Sequence, residues 1–86
     1  MIETRVAVMS IIVENNDSVD QINSLLHDNG EYIIGRMGIP YKKKNISIIS
    51  IAIDAPQDTI SALSGKIGKL DGVSVKTAFS SVISHE

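Results

Sequence analysis

Glu31-Tyr32-Ile33-Ile34-Gly35-Arg36-Met37-Gly38-Ile39-Pro40-Tyr41-Lys42-Lys43-Lys44-Asn45, followed by Ile46-Ser47-Ile48-Ile49-Ser50-Ile51-Ala52-Ile53, reads as two β-strands joined by a turn. Ile46–Ile53 is β-branched and apolar nearly throughout, which suits a strand apolar on both faces. The preceding strand runs from about Tyr32 to Ile39 and is punctuated at its end by Gly35, Gly38 and Pro40. Glycine adds no packing to a strand and proline cannot donate a ladder hydrogen bond, so this punctuation needs an offsetting use. It fits a bulged or twisted edge that discourages sheet-to-sheet aggregation. It equally fits a place where a second subunit or a ligand comes closer than a Cβ would allow, with Arg36 as a fixed charge.

Upstream, Val6–Val13 is short, apolar and β-branched, and reads as a strand buried on both faces. Glu14-Asn15-Asn16-Asp17-Ser18 breaks it. Ser18 with Gln21 fits a capping box, and Asp17 is an alternative N-cap. Val19, Ile22, Leu25 and Leu26 then recur at helical spacing as far as Asn29-Gly30, where the glycine suits a left-handed C-cap. Downstream, Asp54-Ala55-Pro56 stops the third strand. Pro56 suits a first helical turn, Asp58 complements the helix dipole, and Ile60, Leu63, Ile67 and Leu70 mark a buried stripe. Asp71-Gly72 turns the chain into a last strand from Val73, whose alternation fits a half-exposed edge.

The order is strand, helix, strand, strand, helix, strand, in one domain spanning residues 1–86. Right-handed crossovers place both helices on one face of a four-stranded antiparallel sheet, an α+β, ferredoxin-like βαββαβ sandwich. The other face should then be polar in a monomer, and it is not. The alternating sets of the first strand are Ala7, Met9, Ile11, Val13 and Val6, Val8, Ser10, Ile12. Those of the third are Ile49, Ile51, Ile53 and Ile46, Ile48, Ser50, Ala52. Whichever set meets the helices, the other leaves an apolar patch of the kind that marks an interaction surface. The chain is therefore expected to form a homodimer or a dimer of dimers, with Val6, Val8, Ile12, Ile48 and Tyr41 at the interface.

Composition removes other classes. Eight Lys and Arg against ten Asp and Glu, net charge -2, give no electrostatic footprint for direct nucleic-acid binding. Lys42-Lys43-Lys44 reads as solvated charge at a hairpin tip, and three aromatics (Tyr32, Tyr41, Phe79) make no stacking platform. With no cysteine there is no disulfide framework, and the N-terminus lacks the pattern of a signal peptide or membrane span. The expected location is cytoplasmic, with no membrane partner.

Catalytic patterns are equally thin. His27 and His85 do not stand at metal-ligand spacing, so no metal or cofactor is expected. No nucleophile elbow occurs, and Gly35-Arg36-Met37-Gly38 lacks the spacing and following helix of a dinucleotide fingerprint. Two ligand sites can be argued. The turn before the first helix (Asn15, Asn16) offers backbone N–H groups to a carboxylate, although Asp17 can answer that need itself. Along Gly35, Arg36, Met37 and Gly38, the arginine could pair with an anionic ligand or a partner's acid.

Arg5–Glu14, Tyr32-Ile33-Ile34-Gly35-Arg36-Met37-Gly38-Ile39-Pro40-Tyr41, Ile48–Ile51 with Asp54-Ala55-Pro56, and Gly72–Thr77 together resemble the iron-only hydrogenase system regulator family. The resemblance spans nearly the whole chain and implies an ACT-like domain, similar to the ligand-sensing C-terminal domain of the nickel-responsive repressor. It also implies oligomerisation and transcription regulation of hydrogenase maturation genes. That repressor binds nickel through histidines and a cysteine, which this chain does not supply. Amino-acid-binding ACT domains usually have a glycine between first strand and first helix, and Glu14–Ser18 has none. No ribbon-helix-helix or helix-turn-helix segment is present, so a partner would have to reach DNA.

The expectation is a non-enzymatic ACT-like regulatory domain, oligomeric, sensing a small molecule at a subunit interface. The alternative is a protein-protein interaction module that uses its apolar sheet face without a metabolite.

Overall fold

A computed structural model describes residues 3–85. Strand β1 (Glu3–Val13) leads through a 3-10 turn (Asn16–Ser18) into helix α1 (Val19–Asp28). Strand β2 (Ile33–Tyr41) and strand β3 (Ile46–Ala55) are joined by a tight turn at Lys42–Lys44. Helix α2 (Gln57–Gly68) and strand β4 (Val73–His85) complete the chain. The strands form one antiparallel sheet in the order β2-β3-β1-β4. This is the expected ferredoxin-like arrangement, with the first and third strands central and β2 and β4 at the edges.

The core lies between one sheet face and the helices. Ala7, Met9, Ile11 and Val13 of β1 and Ile49, Ile51, Ile53 and Ala55 of β3 are buried there, against Ile22 and Leu26 of α1 and Ile60, Leu63 and Ile67 of α2. Burial in β1 and β3 therefore alternates, which corrects the expectation that the first strand is buried on both faces. Both residue sets are apolar, but only one has a cover within this chain.

Strand β2 also departs from its expected course. It does not end at the glycines and proline but runs through them to Tyr41, each residue from Gly35 onward paired with β3. The turn closes on Asn45, whose φ of 55° places it in the left-handed region that asparagine tolerates. A register shift between Ile33 and Gly35 leaves Ile34 as an extra residue. This bulge lets Ile33, opposite Ile53, pack on the core while Met37, Ile39 and Tyr41 point away from it.

The helix termini correct three further expectations. Ser18 makes no side-chain cap; its hydroxyl donates instead to the Asp71 carbonyl, 2.7 Å away. Gly30 takes no left-handed conformation, since α1 ends at Asp28 with Asn29 as its C-cap, whose side chain donates to the Leu25 carbonyl. Pro56 precedes α2 as its N-cap, with its carbonyl accepting from the Thr59 and Ile60 amides. His85 closes β4 opposite Glu3.

Candidate functional site

The six sequence-derived ligand residues do not converge on one place. Asn15 and Asn16 lie in the turn after β1. Arg36 and Gly38 face the helix layer, opposite Ile51 and Ile49, whereas Gly35 and Met37 face away from it, opposite Ala52 and Ser50.

The β1–α1 turn is latched to the turn after α2. The Glu14 amide donates to the Gly72 carbonyl at 2.7 Å, and Asn15 Nδ2 donates to Asp71 Oδ2 at 2.7 Å. Asn15 Oδ1 in turn accepts from the Asp17 amide at 3.0 Å. The Asp17 amide is thus held by the chain's own side chain and not offered to a ligand. Gly72, with φ +68°, makes the latch possible: a Cβ there would lie 2.7 Å from Asn15 Cβ and 2.8 Å from its backbone nitrogen. Sequence reading found the Asp71-Gly72 turn but missed its partner, which is fixed by tertiary approach. Asn16 belongs to a second network, donating to Asn45 Oδ1 at 2.7 Å beside the hairpin tip.

Between α1 and β2 runs a concavity of about 240 Å³, lined by Val19, Asn23, Arg36, Gly38, Pro40 and Ser47 among others. It exists because the helix layer stops short of the β2 edge and Gly38 has no side chain to fill the gap; a Cβ at Gly38 would meet nothing within 4 Å. Arg36 Nη2 donates to Asn23 Oδ1 at 2.9 Å, its one side-chain hydrogen bond among the described residues. Asn23, Pro40 and Ser47 were missed by sequence reading because their shared position depends on the α1–β2 approach. Among the described residues no group of three or more His, Cys, Asp or Glu side chains could hold a metal ion. No helix of the described residues is long and apolar enough to cross a membrane.

The other sheet face carries the apolar patch. Val6, Val8, Ile12, Ile48 and Tyr41 stand on it together, and all are exposed, as are Met37 and Ile39 of the same face. The last two could have been found from strand parity, since residues alternating with Arg36 and Gly38 must point the opposite way.

Comparison with known proteins gives a consistent picture. A family model described as "TM1266-like: Iron-only hydrogenase system regulator, putative" matches residues 5–77. The solved structure of uncharacterized protein TM1266 from Thermotoga maritima superposes with a TM-score of 0.84 at 39% identity, covering 88% of this chain and 96% of that one. The ACT domain from GTP pyrophosphokinase of Chlorobium tepidum follows at 0.61 and 21% identity, covering 96% and 93%. CPII from Thiomonas intermedia K12, bound to ADP, AMP and acetate, superposes at 0.54 and 14% identity, covering 100% and 94%. These last two likenesses show the fold, which is ACT-like. A search of curated proteins returns no match.

Proposed function

Since the chain belongs to the TM1266-like family of iron-only hydrogenase system regulators, we propose that it is a non-enzymatic, ACT-like regulatory domain that works as a homo-oligomer joined through its open sheet face and responds to a small-molecule effector. Transcription regulation by such a domain would run through a DNA-binding partner. The observation that supports this reading is the exposed apolar face of β1, β2 and β3, with Val6, Val8, Ile12, Met37, Ile39, Tyr41 and Ile48 on one side of one sheet.

Four strands about 4.8 Å apart and roughly ten residues long at about 3.3 Å each give a footprint of about 600 Å² per protomer, or about 1,200 Å² for a pair. That is the lower bound of stable protein interfaces, which run from about 1,200 to 2,000 Å². Apolar burial at roughly 25 cal/mol per Å² then offsets the several kcal/mol that association costs. The edges are poorer candidates, because β2 carries its bulge and Pro40, and β4 carries Lys76 and a register shift opposite Arg5 and Ala7.

Sedimentation of the wild-type chain and of a Val8→Lys, Ile48→Lys double variant tests the reading. The wild type should sediment as a dimer or larger at micromolar concentration, and the variant as a folded 9.3 kDa species. A wild-type monomer would refute it. A monomer that binds one foreign polypeptide through the same residues would favour the interaction-module alternative.

A further inference from the structure

We propose that the groove between α1 and β2 binds a small organic acid, a monocarboxylate with a short aliphatic group, gripped by Arg36. The inference deepens the effector reading above and rests on it for its biological purpose; the binding itself depends on the groove alone.

Charge and shape point to the same class of ligand. Arg36 stands at the groove with a single side-chain hydrogen bond, to Asn23 Oδ1, and that bond uses one of its five N–H donors. The remaining donors of a planar guanidinium match the two oxygens of a carboxylate. The Asn23 contact orients the group without neutralising it, since an amide oxygen brings no charge. Beside it the lining is largely apolar, with Val19, Pro40, Ile49 and the bare backbone of Gly38, while Ser47 adds one hydroxyl. An anion with no apolar part would leave this lining wet, and a neutral apolar molecule would leave the guanidinium unused.

Size favours a small ligand. About 240 Å³ lies below the roughly 300–1,000 Å³ of ordinary small-molecule pockets, which argues for a few carbon atoms rather than a nucleotide. Gly38 keeps this volume open, because a side chain there would project into empty space. The same strand serves both sides of the sheet. Arg36, Gly38 and Pro40 line the groove, and the alternating Met37, Ile39 and Tyr41 lie on the apolar face, so occupancy of one side bears on the strand that shapes the other.

The test is amide chemical-shift titration of the full chain with 3-methylbutanoate, with 3-methylbutan-1-ol and inorganic phosphate as comparators. Saturable shifts confined to Asn23, Arg36, Gly38 and Ser47 are expected with the carboxylate and not with the alcohol or phosphate. Arg36→Gln should weaken the carboxylate at least tenfold. Gly38→Val should abolish binding while melting no lower than wild type, which separates a filled groove from a damaged fold. No saturable shift at millimolar acid, an undiminished response in Arg36→Gln, or equal binding of phosphate would overturn the proposal. A Val6→Lys, Val8→Lys variant, altered on the opposite face at residues outside the groove lining, should still bind, and a wild-type chain that is monomeric yet binds the acid refutes only the oligomer reading.

Discussion

The two faces of this sheet are built from the same strands and nearly the same residues, yet they meet different surroundings. On one, Met9, Ile11, Ile51 and Ile53 are completely buried beneath two helices. On the other, Val8 and Ile48 are 41% and 36% exposed, although each is next in sequence or nearly so to a buried neighbour. Burial in β1 and β3 is therefore decided by what lies above each face, because hydrophobicity alone does not distinguish Ile48 from Ile49. Uncovered aliphatic surfaces of this kind are where interaction sites of soluble proteins are found.

Paired truncations give the largest test of this contrast. Ile51→Ala removes a fully buried side chain and should cost about 2–5 kcal/mol in urea unfolding. Ile48→Ala, measured at dilutions where the chain is monomeric, should cost less than about 1 kcal/mol, because much of its area is already wet. Equal losses would show that the second face is covered within the chain. Next in size is Gly72→Ala, which tests how the covered side is fastened at its end. An alanine at φ +68°, with its Cβ against Asn15, should lower stability by about 1–3 kcal/mol and disturb the Asn15 and Asp71 amide resonances. Smallest is Gly38→Val, on the stretch of β2 that the helices do not reach. The new side chain meets open space in a strand, so thermal unfolding should stay level or rise by an amount worth about 0.5–1 kcal/mol. A clear loss there would mean that the groove is narrower than described.

Much of this was legible in the chain itself. Element order follows from local cues, namely the aliphatic runs, the helical spacing of Ile60, Leu63 and Ile67, and the Asp71-Gly72 turn. The two alternating sets of β1 and β3 were also separable by parity, but which set meets the helices was not, since both are aliphatic. Ser18 shows the limit of a local window. Its hydroxyl had a plausible partner three residues away and found a better one at Asp71, 53 residues on. Likewise Arg36 was marked by its glycine-rich setting, whereas Asn23 and Ser47 join it only after α1 crosses β2. The extension of β2 to Tyr41 was hidden because an edge strand tolerates glycine and proline that a central strand would reject.

Ile34 is the surplus residue of β2. Without it, Ile33 would still face Ile53 and Gly35 would still face Ala52, so the fold loses nothing from its deletion. What it would gain is a smooth outer margin, with a straight row of backbone donors and acceptors on which one molecule could template the next into a fibre. A single misfit residue thus keeps this margin from offering so regular a template.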